Sequence, residues 1–99
     1  MIRKGDIGTA IELLLMEDGL PLPIGEATKL EIIARKPGDI KVIFPATLST
    51  DGSDGKIRFV TLSENDLNVS GTWKLQAQVV LPTGSWRSSV VDMQVGENL

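Results

Sequence analysis

The sequence predicts an all-β domain, an antiparallel β-sandwich of six to seven strands, on three observations. Six stretches of strand length are apolar or alternate between apolar and polar residues. Clusters of Gly, Pro, Asp and Asn separate them at the spacing typical of sandwiches. No stretch has the apolar period of a long helix. A chain of 99 residues suits one compact core. One domain is therefore predicted over residues 1–99, with its core at about 6–95 and a short flexible tail from Gly96.

The first predicted strand, residues 7–16, is apolar on both faces. Asp18-Gly19, Pro21, Pro23 and Gly25 then indicate a long turn, because proline lacks an amide hydrogen and glycine permits positive φ. One face consists of Ile7, Thr9, Ile11, Leu13 and Leu15, and the other of Ala10, Glu12, Leu14 and Met16.

The next two predicted strands cover residues 27–36 and 40–48, and Lys36-Pro37-Gly38-Asp39 indicates a turn between them. Pro45 cannot donate to a ladder, so it predicts an edge or a bulge whose end is unpaired. In the first of these strands Leu30, Ile32 and Ala34 point inward and Lys29, Glu31 and Arg35 outward. In the second the inward residues are Ile40, Val42, Phe44, Ala46 and Leu48.

Residues 50–55 predict a tight connection, and residues 56–62 a strand that returns as a hairpin with Ile57 and Phe59 on one face. Ser63 is followed at the third position by Asp66, an arrangement that caps the free amides of a helix start. The sequence therefore predicts one short helical turn near residues 63–68, which Gly71 ends.

Residues 72–81 form the most regular predicted strand, which we expect to lie centrally. Pro82-Thr83-Gly84 predicts a three-residue hairpin loop, after which residues 85–95 return antiparallel. The inward residues of this hairpin are Trp73, Leu75, Ala77, Val79, Leu81, Val91, Met93 and Val95. One dry layer is predicted to contain Ile11, Leu30, Ile32, Phe44, Phe59, Trp73, Leu75 and Val79.

Composition excludes several classes of partner. The net charge is −3 and the ten basic residues are scattered, which argues against nucleic acid. No apolar run approaches the roughly 18 to 20 residues that cross a bilayer, so no transmembrane segment and no membrane partner are predicted. The N-terminal residues lack the apolar stretch and cleavage site of a secretory signal peptide.

Catalysis is not predicted, because the chain has no histidine, cysteine or tyrosine. A Ser-Lys pair would need a desolvated lysine, and the lysines lie on predicted wet faces. Asp51 and Asp54 could donate oxygens to calcium, but their loop lacks the distal bidentate acid of a full coordination shell. Glu64 and Asp66 are read as turn caps. The sequence predicts no enzyme, no cofactor and no metal.

Surplus apolar residues on predicted solvent faces indicate an interface with other copies or other proteins. The alternative is that singly exposed apolar residues are ordinary on protein surfaces and need no partner. Open sheet edges near Pro45 and at the terminal strands would support assembly. The candidate interface residues are Leu14, Met16, Ile33, Ile43, Val60, Val80 and Trp86.

Carbohydrate binding is a further hypothesis, because an aromatic ring beside polar groups can hold a sugar. Trp73 is predicted to lie in the core, whereas Trp86 follows a loop. The site would need an exposed Trp86 beside Arg87 and the row of Gln76 and Gln78.

Turn and strand motifs recur in a characteristic order from about Asp6 to Val95. They are Asp6-Ile7-Gly8, Asp18-Gly19-Leu20-Pro21, Gly25-Glu26-Ala27-Thr28, Lys36-Pro37-Gly38, Asp54-Gly55-Lys56-Ile57 and Gly71-Thr72-Trp73-Lys74-Leu75-Gln76-Ala77-Gln78-Val79. This order resembles the immunoglobulin-like N-terminal domain of phage baseplate upper proteins. The resemblance implies a non-enzymatic virion component of a tailed phage, assembled in the host cytoplasm and docked on tail or baseplate neighbours in many copies. A capsid decoration protein is the alternative.

Overall fold

A computed structural model describes residues 2–97, and within that range the chain forms ten strands and no helix. The strands pair antiparallel in three sheets. They are β1 (Ala10–Leu14), β2 (Met16–Glu17), β3 (Leu20–Pro21), β4 (Lys29–Lys36), β5 (Ile40–Pro45), β6 (Thr47–Leu48), β7 (Lys56–Val60), β8 (Gly71–Leu81), β9 (Gly84–Arg87) and β10 (Val91–Val95).

The small sheet has the order β1-β7-β6, with Ile11 opposite Phe59 and Leu48 opposite Ile57. The predicted hairpin is therefore formed by β6 and β7. After β1 the chain continues into the β2–β3 hairpin. Its two-residue turn needs positive φ at both positions, which Asp18 (φ 52°) and Gly19 (φ 80°) supply.

The large sheet has the order β10-β8-β4-β5, and β9 also pairs with β8. Strand β8 is central, as predicted, with β4 on one side and β9 and β10 on the other. The predicted strand over residues 40–48 is divided between the two sheets. Pro45 ends β5 at the edge of the large sheet, and two residues later Thr47 begins β6 in the small sheet. The prediction that this end is unpaired is wrong, because Pro45 pairs with Glu31 and β6 pairs with β7.

The two sheets face each other across one apolar core. The rings of Phe44 and Phe59, from opposite sheets, stack with centroids 4.7 Å apart. Trp73 is fully buried, and its indole N–H donates to the carbonyl of Val69 at 3.0 Å. The predicted dry layer is confirmed for seven of its eight residues, and Leu30 packs half-buried against it. No helix in the described range is long and apolar enough to cross a membrane.

The predicted helical turn near residues 63–68 is wrong, because the segment forms hydrogen-bonded turns without helix. The capping contacts do form. The Asp66 carboxylate accepts from the backbone amides of Leu62 and Ser63 at 2.8 and 3.1 Å, and the Ser63 hydroxyl accepts from Asn65 N–H at 3.2 Å. These contacts satisfy the turn locally, and Gly71 begins β8 before further helical bonds form.

Other differences lie at strand ends. Ile7 is exposed because β1 begins only at Ala10, and Ile40 is exposed at the start of an edge strand. The β8–β9 loop has two residues rather than three, since Leu81 pairs with Gly84. Gly96, predicted as the start of a flexible tail, is instead bridged to Arg3. Asn98 and Leu99 lie outside the described residues.

Candidate interaction surface

The outer side of β1 and β2 is an open sheet edge. The amide of Leu15 donates to Gly55 O at 2.8 Å, and its carbonyl accepts from Leu22 N at 3.0 Å, so both groups point toward β7 and β3. Alternate residues of a strand direct these groups to opposite sides. The N–H and C=O groups of residues 10, 12, 14 and 16 therefore point the other way, where no described strand pairs. We call this side the open edge.

The open edge lacks the features that protect other edges of this molecule. Strand β5 has Lys41 and Pro45, and β6 is only two residues long. The opposite edge of the large sheet is interrupted between β9 and β10. Strand β1 contains neither lysine nor proline, which are common means of blocking strand addition, and its one charged side chain, Glu12, contacts Ser49 and Lys56. The open edge is thus the least blocked edge among the described strands.

The small sheet is one strand narrower than the large sheet, which has four strands across. Strand β6 approaches β4 and β1 approaches β8, so the small sheet ends beside β8 and leaves the Val91 end of β10 open, whereas Met93 and Val95 further along β10 are buried. We call this gap the vacant position. A groove of about 390 Å³ occupies it, and its lining includes Leu13, Leu14 and Met16 on one side and Arg87, Ser88 and Val91 on the other.

Val91 shows the consequence of the vacant position. It pairs with Leu75, which is 3% exposed, and paired residues share a face, so Val91 points toward the core as predicted. Its side chain is nevertheless 45% exposed. Its exposure therefore comes from the missing cover and not from its orientation.

A bulge separates β9 from β10. Val79 pairs with Trp86 and Leu75 pairs with Val91, so the returning chain has one residue more than β8 between these pairs. The Ser88 hydroxyl accepts from the backbone amide of Ala77 at 2.8 Å, while Ser88 N–H donates to Ala77 O at 3.0 Å. The bulge keeps both Trp86 and Val91 on the inner face.

The predicted carbohydrate site is not assembled. Trp86 lies opposite the fully buried Val79 and packs against the core. Arg87, the next residue along β9, pairs with Gln78 on the outer face. Trp86 and the glutamine row therefore lie on opposite faces of the sheet.

The outer face of the large sheet contains Ile33 opposite Ile43, with Gln76 as the next neighbour. Beside them Lys41, Arg35 and Lys74 stand in one row. Carboxylates partly neutralise this row, because Arg35 pairs with Asp39 at 3.2 Å and Lys74 with Asp92 at 3.0 Å. These pairs are exposed and contribute little to stability.

The seven predicted interface residues do not form one patch. Three lie on the outer face of the small sheet or its β2 continuation, three on the outer face of the large sheet, and Trp86 faces inward. Leu14, Met16 and Ile43 are 40%, 50% and 48% exposed, whereas Ile33, Val60, Val80 and Trp86 are half-buried. Leu14 and Met16 border the groove. Val91 is not among the predicted surface residues, because the alternation of its strand correctly indicated an inward side chain.

The carboxylates of residues 50–55 are engaged within their own loop. The Ser53 hydroxyl, and then its amide, donate to Asp51 and hold the pKa of that carboxyl below its ordinary value. Asp54 accepts from the Thr50 hydroxyl at 2.9 Å and the Lys56 amide at 3.1 Å. Over residues 2–97 no group of three or more acidic, histidine or cysteine side chains could hold a metal ion.

Comparison of the chain with protein-family models, curated proteins and solved structures finds no match.

Proposed function

We propose that this chain is an immunoglobulin-like β-sandwich that serves, without catalysis, as a structural component of a tailed-phage virion. Of its β-sandwich surfaces, the open edge and the groove beside it dock on tail or baseplate neighbours. The observation that carries the docking role is the open edge with its uncovered apolar groove. The resemblance of the turn and strand motifs to the N-terminal domain of baseplate upper proteins supplies the phage setting.

Apolar contact and strand pairing, rather than charge, support this docking. Leu14, Met16 and Val91 expose 40%, 50% and 45% of their surface at or beside the groove. Burial of such side chains stabilises an interface by about 25 cal/mol per Å² of apolar surface before the costs of association. The scattered cations and the net charge of −3 favour a protein partner over a polyanion.

The absence of histidine, cysteine and tyrosine from the sequence supports a role without catalysis. A capsid neighbour would use the same surfaces as a tail neighbour. The position of the chain in the particle distinguishes baseplate docking from capsid decoration. Carbohydrate binding is not favoured, because Trp86 and the glutamine row face opposite ways.

The test is to purify particles made from the genome that encodes this chain and to locate the chain by immunogold labelling and cryo-electron microscopy. We expect multiple copies at the tail or baseplate. Copies on the capsid shell would favour the decoration role, and a chain missing from purified particles would contradict the proposal. Flanking tail or capsid genes provide an independent check.

A matched pair of variants connects the location to the surface. Leu14→Lys with Met16→Lys places charges beside the open edge, whereas Ile43→Lys places one on the outer face of the large sheet. Both changes fall on exposed side chains, so folding should be preserved and is checked by circular dichroism. We expect the first variant to be lost from particles and the second to be retained.

A further inference from the structure

We propose that the vacant position binds a single extended segment of a partner protein, which adds to β1 as a fourth strand of the small sheet. The inference rests on the proposed docking function and deepens it by naming the conformation and chemistry of the partner.

The backbone of the open edge defines an extended occupant. Residues 10, 12, 14 and 16 present N–H and C=O groups on the same side of the chain. An extended segment of about seven residues spans this length and can pair with all four. Main-chain hydrogen bonds of this kind provide affinity when a strand is added to a sheet edge.

The widths of the two sheets exclude a second folded copy that pairs through its own β1. Beyond β1, the large sheet continues into β9 and β10. A second copy that paired through its own β1 would bring its own β9 and β10 into the layer of the large sheet. There they would collide with β9 and β10 of the first copy. A single segment with no sheet beneath it fits without this conflict. The occupant is therefore an arm or tail rather than the edge of a folded domain.

The groove determines the side chains of the segment. Residues that point inward meet Leu13 and Val91, so they are apolar and of moderate size, such as valine or leucine. Residues that point outward lie beside Glu12, whose carboxylate already accepts from the Ser49 hydroxyl at 2.8 Å and lies 4.0 Å from Lys56. Polar or basic residues fit there, and acidic residues would be repelled.

The probe is a synthetic peptide of about nine residues in which valine alternates with threonine and a lysine stands at each end. Its control has the same sequence with alternate amide nitrogens methylated, which removes the hydrogens on one edge and leaves the side chains unchanged. We expect saturable binding of the first peptide with a dissociation constant below about 1 mM. The methylated peptide should bind at least about tenfold more weakly. Nuclear magnetic resonance titration gives both values.

Two variants of the protein locate the binding. Glu12→Pro removes an amide hydrogen that points to the vacant position and leaves the bonds between β1 and β7 in place, whereas Glu12→Val keeps that hydrogen. Val91→Lys places a charge in the groove. We expect Glu12→Pro and Val91→Lys each to weaken peptide binding at least about tenfold. Ile43→Lys should bind as the unmodified chain does. Glu12→Val loses the carboxylate but keeps the amide hydrogen, so it should bind the peptide clearly more tightly than Glu12→Pro does.

Circular dichroism establishes whether each variant folds. If Glu12→Pro does not fold, Val91→Lys and the methylated peptide still test the inference. Absence of saturable peptide binding up to about 1 mM would overturn the inference. Equal binding of both peptides, or chemical shift changes confined to the outer face of the large sheet, would overturn it too. This assay needs no particles. If the peptide does not bind but the chain is present in virions, the proposed function stands and only this inference fails. If the peptide binds but the chain is missing from virions, only the phage role is removed.

Discussion

The hydroxyl of Ser88 accepts a hydrogen bond from the backbone amide of Ala77 at 2.8 Å, in the place where a ladder carbonyl would normally stand. The displaced carbonyl of Ser88 accepts from the Gln76 side-chain amide at 2.8 Å. One serine thus satisfies the backbone at the bulge between β9 and β10. The bulge in turn sets the inward direction of Val91 beside the vacant position.

Ser88→Ala removes the acceptor of the Ala77 amide on a buried stretch of β8. We expect the free energy of unfolding to fall by about 1–3 kcal/mol, the cost of leaving a buried donor unsatisfied. Urea denaturation measures the change. The control is Ser89→Ala, an exposed side chain for which a change within about 0.5 kcal/mol is expected. Equal losses for the two variants would contradict the bridging role of Ser88.

Thr61→Val tests the link between the N-terminal segment and the end of β7. Thr61 is 1% exposed, and its hydroxyl accepts from Thr9 N–H and donates to Asp6 O, both at 3.0 Å. Valine keeps the shape and loses both bonds, so we expect a loss of about 2 kcal/mol in urea denaturation. The exposed Thr72 is the matched position. Thr72→Val should change the free energy of unfolding by less than about 0.5 kcal/mol. An unchanged free energy of unfolding in Thr61→Val would show that the two hydrogen bonds of the Thr61 hydroxyl do not stabilise the fold.

Gly55→Ala tests the close approach of the β2–β3 hairpin to the start of β7. Gly55 has φ +70°, and an added Cβ would lie 2.4 Å from Leu15 O. Gly8 has a similar φ of +85° but no atom within 4 Å of such a Cβ. Backbone strain alone predicts a loss of about 1 kcal/mol for Gly8→Ala. We expect Gly55→Ala to exceed it by at least about 2 kcal/mol in thermal or urea unfolding. Similar losses at both positions would show that the contact is unimportant.

Ser53→Ala tests the hydrogen bonds that lower the pKa of the Asp51 carboxyl. A lowered pKa in the folded protein stabilises the fold above the ordinary value of 3.8, and this contribution is lost as the pH falls through the folded value. Removal of the Ser53 hydroxyl takes away the largest cause, so the Asp51 pKa should rise toward 3.8. Carbon-detected nuclear magnetic resonance titration measures it. Ser49→Ala is the control, and an unshifted Asp51 in the Ser53 variant would refute the assignment.

Alternation of apolar residues predicted the core well, because burial on one face of a strand leaves a period of two in the sequence. Trp73, Leu75 and Val79 lie where that period places them. Pro45 correctly indicated a sheet edge, since a missing amide hydrogen is a local property. The helical turn failed because capping contacts can close a turn as well as begin a helix.

The candidate surface was harder to predict, because it depends on which strands are neighbours. The sequence shows that Leu14 and Met16 are apolar residues on an outward face, but not that β1 has a partner on one side only. Val91 points inward as its alternation indicates and is exposed because the small sheet is narrower than the large one. Strand order arises from pairing between distant segments, which no local pattern records.

Amide hydrogen exchange along β1 tests the open edge most directly. The amides of Ile11 and Leu13 point toward β7, and those of Glu12 and Leu14 point to the vacant position. In the free protein we predict slow exchange at Ile11 and Leu13 and fast exchange at Glu12 and Leu14, with a difference of at least about a hundredfold. Equal protection of all four amides would show that the edge is already paired and would contradict the account.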